Sequence, residues 1–234
     1  EGGAFKMEKN ALHIWPRGNY MMIALPNPDG SYTCTLFMPF EGENSFGSLK
    51  TDEQIMEFLA HNFADSIPLM PNVLEDYKAN PVGSLVTVRC NPWVRGNFAL
   101  MGDSAHAVVP FYGQGMNCAF EDAAVLDDLI GKHYPNWELI FSEYEKERIH
   151  NANAIADLAI KNFKEMRDLV GQEDFLEKKR IEHELCELYP EHYKSQYELV
   201  TFSTEDYSYA QAMGDVNDGI IETIKEKGLA NRLS

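Results

Sequence analysis

What this chain lacks narrows its role before any motif is read. No stretch approaches the roughly 18 apolar residues needed to span a bilayer, and the opening EGGAFKMEKN has no apolar signal-peptide core. Four cysteines, Cys34, Cys90, Cys118 and Cys186, lie far apart and form no CxxC pair. That fits free thiols in a reducing compartment better than a disulfide framework. Positive charge is scarce: 20 lysines and arginines face 37 acids, for a net −17. This argues against a nucleic-acid backbone or an anionic membrane surface as partner. A phosphate-bearing ligand would have to be held by local dipoles or a few placed groups. None of the seven histidines sits in a credible metal spacing, and HELCE at 183–187 lacks the second histidine of HExxH. The nucleotide fingerprints GxGxxG and GxxxxGK[ST] and the nucleophile elbow GxSxG do not occur either. There is no internal repeat, no low-complexity segment and no initiator methionine.

What remains is an ordinary globular composition, 44% hydrophobic over 234 residues, enough for one large domain or two small ones. The first hundred residues read as mostly β. ALHIW and YMMIAL are short apolar runs, and NPDG (27–30) is a turn signal before SYTCTLFMPF, which together suggest a hairpin. Thr51 is placed to cap a helix whose Ile55, Phe58, Leu59 and Phe63 follow a helical period. LVTVRC (85–90) and NFALM (97–101) read as two further strands. From Gly115 onward the period is helical: Met116, Ala119, Phe120, Ala123, Leu126 and Ile130 form a stripe, with Glu121, Asp122 and Asp128 off it. A longer helical pattern runs from Trp137 to about Val170, and two more cover 173–188 and roughly 206–227, with Pro190 between them. EKKR (177–180) reads as a solvated helix face. Strands followed by helices predict an α+β fold, or a piece of an α/β protein whose other strands lie elsewhere.

The chemistry concentrates in ALMGDSAHAVVPFYGQGMNCAF (99–120). Asp103 is a carboxylate at the end of an apolar strand, where α/β proteins meet ligands. An ionised aspartate is acceptor-only, so it suits hydroxyl donors; capping the turn is the competing role. Pro110 stiffens the loop entry, while Gly113 and Gly115 permit close backbone approach before a helix whose N terminus favours negative charge. A plain glycine-rich loop would look the same. His106 reads as structural. Asn162 falls on the apolar stripe of Ile155, Leu158, Ala159, Met166 and Leu169. Its amide there needs a partner, backbone or ligand, or costs about 1–3 kcal/mol.

Taken together, LMGDSAHAVVPFYGQGMNCAFEDA resembles the second flavin motif of the class A flavoprotein aromatic hydroxylases, the para-hydroxybenzoate hydroxylase type. Gly102, Asp103, Pro110, Gly113, Gly115 and Asn117 match it. ALHIWPRGNYMMIALPNPDGSYTCTLFMPFEG, VPFYGQGMN, NFKEMRD and QYELVTFS further resemble the kynurenine 3-monooxygenases in order and spacing, from Asn10 to about Met213. The resemblance implies part of an α/β FAD-binding monooxygenase fold. Its regions would be a substrate-binding sheet at 1–90, an FAD-binding segment at 91–134 and a helical region at 135–234. It also implies FAD and transient NADPH as cofactors, with hydroxylation of L-kynurenine to 3-hydroxykynurenine. Asp103 would accept from the ribityl chain, and the backbone at Met116 and Asn117 would lie against the N1–C2=O edge of the ring. Asn162 and Tyr197 would bind the amino-acid end of the substrate. Ile23, Leu25, Phe37, Pro110 and Phe111 would wall its ring, and Gln114 would reach its polar substituents.

The family's first motif, a strand followed by GxGxxG, is not in the sequence. The expectation is therefore a C-terminal portion that partners a missing N-terminal FAD-binding half and holds FAD poorly alone. The tail IIETIKEKGLANRLS is charged and at best amphipathic, so no membrane segment is expected in this chain. A cytoplasmic, bacterial-type enzyme fits; a mitochondrial outer-membrane enzyme truncated before an anchor is the alternative. Another class A hydroxylase, or a non-catalytic fragment that only binds its missing half, also fits the residues.

Overall fold

A computed structural model describes residues 4–230. Of the 220–234 tail, the last four residues lie outside the described range. The chain is α+β and divides into two compact units, residues 1–84 with 164–171 and residues 85–163 with 172–234.

The first unit is a three-stranded antiparallel meander with helices. The strands β1 (His13–Pro16), β2 (Met21–Pro26) and β3 (Tyr32–Phe37) pair in sequence order. The NPDG turn forms as its chemistry demands. Gly30 takes φ +84°, and Asp29 accepts from the Ser31 amide (3.0 Å) and hydroxyl (2.6 Å). Register assigns the faces. Trp15 lies opposite Met22, which lies opposite Leu36, and these three pack with Tyr20 against the next helix. Met21 pairs with Phe37, Ile23 with Thr35 and Leu25 with Thr33, so Ile23, Leu25 and Phe37 share the opposite face. On that face Met21 is buried, Ile23 and Phe37 are half-buried and Leu25 is exposed.

Helix α1 (Asp52–Asn62) begins in the capping box that Thr51 and Gln54 make. It buries Ile55, Phe58 and Leu59, with Phe63 just beyond its end, as the periodicity predicts. Helix α2 (Val73–Ala79) follows a 3-10 turn, and a π-helical turn at Glu165–Leu169 lies against β1.

The second unit is mainly helical. It contains a two-stranded ribbon, β4 (Val94–Arg95) and β5 (Phe98–Ala99), and the helices α3 (Asp103–His106), α4 (Gly115–His133), α5 (Trp137–Lys164), α6 (Glu173–Leu188), α7 (Gln196–Phe202) and α8 (Tyr207–Glu226). One core joins Trp93, Cys118, Leu129, Ile140, Tyr144, Ile155, Leu158 and Tyr207; a second joins Ile181, Leu185, Tyr193 and Ile221. Helix α7 lies between the two predicted C-terminal helices and was not apparent from the sequence. The long pattern from Trp137 stays α-helical to Lys164 and then widens into the π turn.

Three expectations fail here. The run 85–90 forms no strand; its backbone bonds across to the 105–107 segment through Val88 N–H to Ala107 O (2.8 Å) and Cys90 N–H to Ala105 O (3.2 Å). Of 97–101 only Phe98–Ala99 pairs. A β-prone run without a neighbouring strand has nothing to complete its ladder. The stripe on α4 is also rotated from its predicted setting. Cys118, Asp122, Val125 and Leu129 face inward, whereas Met116 and Phe120 are 68% and 65% exposed.

The capping box gives a local test. Thr51→Ala removes the acceptor for the Gln54 N–H, a loss of about 1 kcal/mol. Amide exchange in the first turns of α1 should accelerate about fivefold while α8 exchange is unchanged. Unaltered α1 exchange would show that the cap contributes nothing.

Candidate functional site

The motif at 99–120 is built outward from one buried carboxylate. Asp122 is fully buried, on the second turn of α4. Its Oδ2 accepts from the Gly102 N–H (2.9 Å) and lies 2.5 Å from Nε2 of His106. Its Oδ1 accepts from Nε of Arg148 on α5 (2.8 Å). Arg148 also donates to the Cys118 carbonyl (3.1 Å) and pairs with Glu121 at 3.0 Å. His106 is buried and stacks on Trp93, with ring centroids 5.1 Å apart.

Helix α5 fixes the chain that leads into this cluster. Glu145 accepts from the backbone N–H groups of Trp93 and Val94, and the Tyr144 hydroxyl donates to the Leu100 carbonyl (3.1 Å). The backbone then turns at Gly102 with φ +58° and ψ −143°, a conformation that needs glycine. A Cβ there would also sit 3.4 Å from that of Ala119 on α4. Asp103 follows directly and is exposed.

The loop from Pro110 to Gln114 brings most of the remaining candidates together. Pro110 is exposed, while Phe111 is buried and stacks on Phe163 at 4.4 Å. Asn162 donates to the Phe111 carbonyl (2.7 Å), so its amide has a backbone partner. Tyr112 stacks on Tyr197, centroids 5.8 Å apart, and Tyr197 is 48% exposed. Gly113 takes φ +68°. Gln114 ends this loop at the start of α4. It is buried, and its Oε1 accepts from the Asn117 amide (2.9 Å) and the Tyr207 hydroxyl (3.2 Å). It therefore braces the start of α4 against α8. Ile23, Leu25 and Phe37 belong to the first unit.

Helix α4 then opens at Gly115 with no side-chain cap. The first-turn amides of Gly115, Met116 and Asn117 have no intrahelical acceptor. Met116 and Asn117 are exposed, so the positive end of a 19-residue helix is presented outward. Such a donor set, and the exposed carboxylate of Asp103, suit a group that carries an electron-rich edge and hydroxyls.

His106, Cys118 and Asp122 hold their ligand atoms within 4.8 Å of one another. The Arg148 guanidinium already supplies the cation there, since its Nη2 is also 3.4 Å from the Cys118 sulfur. His106, Asp122 and Arg148 thus form a charge network, with the Cys118 sulfur against the guanidinium.

Sequence reasoning missed Asp122, Arg148 and Tyr207. A usable signal was present. Asp122 sits four residues after Cys118 and seven before Leu129, and Arg148 sits four after Tyr144 and seven before Ile155. Opposite charges on the buried stripes of successive helices mark a pair.

A family profile described as "FAD binding domain" matches residues 20–159. Kynurenine 3-monooxygenase of Flavobacterium psychrophilum is 50% identical over 95% of this chain and 50% of its own length. The enzymes of that name from Myxococcus xanthus and Dictyostelium discoideum are 49% and 48% identical, with 48% and 51% of their lengths covered. The chain thus spans about half the length of the curated relatives it matches. Among solved structures, Klebsiella pneumoniae HpxO complexed with FAD and uric acid aligns over 91% of this chain and 47% of its own, with a TM-score of 0.53 and 18% identity. That likeness concerns the fold alone.

The network makes stability depend on pH. Burial opposes charge on His106, but its bonds to Asp122 and Cys118 prevail and carry its pKa from 6.5 up to about 10. Its contribution is full below about pH 6.5 and is lost as pH rises through about 10. Burial likewise opposes charge on Asp122, but bonds from His106, Arg148 and the Gly102 amide hold it below the ordinary 3.8. Its contribution is full above about pH 4 and is lost on acidification. Urea midpoints should therefore peak between about pH 4 and 6.5 and fall towards pH 9.5. His106→Gln should flatten the alkaline limb, and an equal alkaline loss in both proteins would refute the assignment.

Proposed function

The chain belongs to the family of FAD-binding domains, and on that premise we propose that it supplies the flavin-ring and substrate-facing portion of a flavoprotein monooxygenase acting on L-kynurenine. The name shared by its half-identical relatives supports the substrate. One observation carries the flavin part. Asp103 directly follows the Gly102 amide that Asp122 holds, the uncapped start of α4 belongs to the helix that carries Asp122, and both are exposed.

The bound flavin would contribute hydride acceptance from NADPH and activation of O2, which no side chain can supply. The protein's part is binding, orientation and electrostatics. Asp103 accepts hydrogen bonds from ribityl hydroxyls. The first-turn amides of α4 would hold the electron-rich edge of the ring, and the helix dipole favours the negative charge that gathers there on reduction. Asn162 and Tyr197 take the amino-acid end of kynurenine, with Phe111 beside Asn162 offering an apolar ring surface. The roles of Ile23, Leu25 and Phe37 as ring walls rest on the resemblance. The rest of the cofactor, and NADPH, fall to the additional length that the relatives have. A cytoplasmic location goes with this reading, supported by the acidic balance. Among the described residues no helix is long and apolar enough to cross a membrane.

Two measurements test it. In the full-length protein, Asn162→Ala should raise KM for kynurenine about tenfold, roughly 1.4 kcal/mol, with flavin content unchanged. An unchanged KM would remove Asn162 from the substrate site. The 234-residue chain purified alone should carry much less than one flavin per chain and show no kynurenine-stimulated NADPH oxidation. A stoichiometric yellow complex would contradict the assignment of the remaining cofactor surface to the additional length.

A further inference from the structure

The two proposed flavin contacts lie on different elements, and neither fixes its own position. Asp103 begins a helix of four residues, too short to be rigid alone. The α4 start follows a loop with a positive-φ glycine. Something must set the distance between them. Asp122 touches neither proposed contact, yet it binds the residue before one and, through Arg148, a residue beside the other.

We propose that Asp122 is the positioning residue of the flavin cradle, locking Asp103 and the amino terminus of α4 into one geometry through Gly102 and Arg148. This rests on the flavin reading above.

The connectivity carries the inference. On one side, Oδ2 of Asp122 holds the Gly102 N–H at 2.9 Å, and the Gly102 carbonyl accepts from the Ala105 (2.8 Å) and His106 (2.9 Å) amides that close α3. The peptide that Asp122 grips therefore orients Asp103. On the other side, Arg148 reaches from Oδ1 of Asp122 to the Cys118 carbonyl, one residue after Asn117. The carboxylate is wholly buried and each oxygen has a donor, so its orientation has little freedom. His106 adds a second grip on α3 through the same oxygen that holds Gly102.

Asp122→Asn keeps the volume and replaces an oxygen acceptor with a donor. In the full-length protein, flavin affinity is measured below the melting temperature, on material whose near-ultraviolet dichroism matches the wild type. The dissociation constant should rise at least tenfold. Reduced flavin depends more on the α4 dipole, so it should lose about a further tenfold. That appears as a midpoint potential lowered by about 30 mV for a two-electron couple. Asn217→Ala is the control. It removes a buried bond to the Lys194 carbonyl (2.8 Å) elsewhere in the same unit, so its melting temperature should fall while flavin affinity and potential hold. If Asp122→Asn does not fold, Arg148→Lys decides. It keeps the charge but loses the fork that spans Asp122 and Cys118, and should weaken flavin about fivefold.

Wild-type affinity and potential in the folded Asp122→Asn protein, or in Arg148→Lys where that variant decides, would overturn the positioning role and leave the flavin reading standing. A wild-type protein that binds no FAD would overturn both.

Discussion

The second unit depends on a buried carboxylate that would be very unfavourable if left alone. An isolated charge in a protein interior is strongly disfavoured, and Asp122 has no exposure at all. It is stabilised by three donors from three elements: a backbone amide at the β5–α3 turn, an imidazole on α3 and a guanidinium on α5. Losing any one leaves the others aimed at an undercompensated charge, which is why breaking a buried pair typically costs about 3–5 kcal/mol. The converse also holds: replacing such a network by apolar residues is often neutral for stability. On the positioning role proposed above, its value lies in geometry, because hydrogen bonds have directions and apolar contacts do not.

Helix α5 is the rod from which that geometry is hung. Tyr144, Glu145, Arg148 and Asn151 occupy little more than two of its turns and bind four different places. These are the Leu100 carbonyl, the ribbon amides at Trp93 and Val94, the carboxylate of Asp122, and the start of α8, where Asn151 bonds Asp206 and Ser208. Helix α8 closes the loop through the bond from Tyr207 to Gln114. Ahead of α4, regular structure in and before the motif is slight, with two-residue strands and one helical turn. Its order comes from side chains of elements that are themselves long and well packed.

The sequence made local features legible where local chemistry decides them. The NPDG hairpin, the Thr51 cap, the onset of α4 at Gly115 and the extent of α6 each follow from turn chemistry, capping or unbroken periodicity. It was misleading where a neighbour decides. LVTVRC has strand composition but no strand beside it, bonding only Ala105 and Ala107 at the end of α3, and the α4 stripe was read from hydrophobicity although the buried face carries an aspartate. Met116 and Phe120 belong to the apolar class yet lie exposed, and Asp122 belongs to the charged class yet lies inside. Residue type predicts burial only on average. A charge with partners on two other elements escapes any rule that looks along one helix. The candidate ligand residues were legible as a motif, but the carboxylate that holds them was not.

Charge balance explains why a chain so acidic can offer a site to an electron-rich cofactor. The network combines two acids, Asp122 and Glu121, with two bases, Arg148 and His106, and so contributes little net field. No general positive potential helps, since acids outnumber bases 37 to 20. What remains is the α4 dipole, whose effect falls off within a turn. A source of such short range is useful only if the ligand edge is held against it to a fraction of an ångström. On the flavin reading proposed above, positioning and electrostatics are thus one requirement: with no long-range attraction to rely on, the site would work through the precision with which a charge-balanced network fixes a helix end.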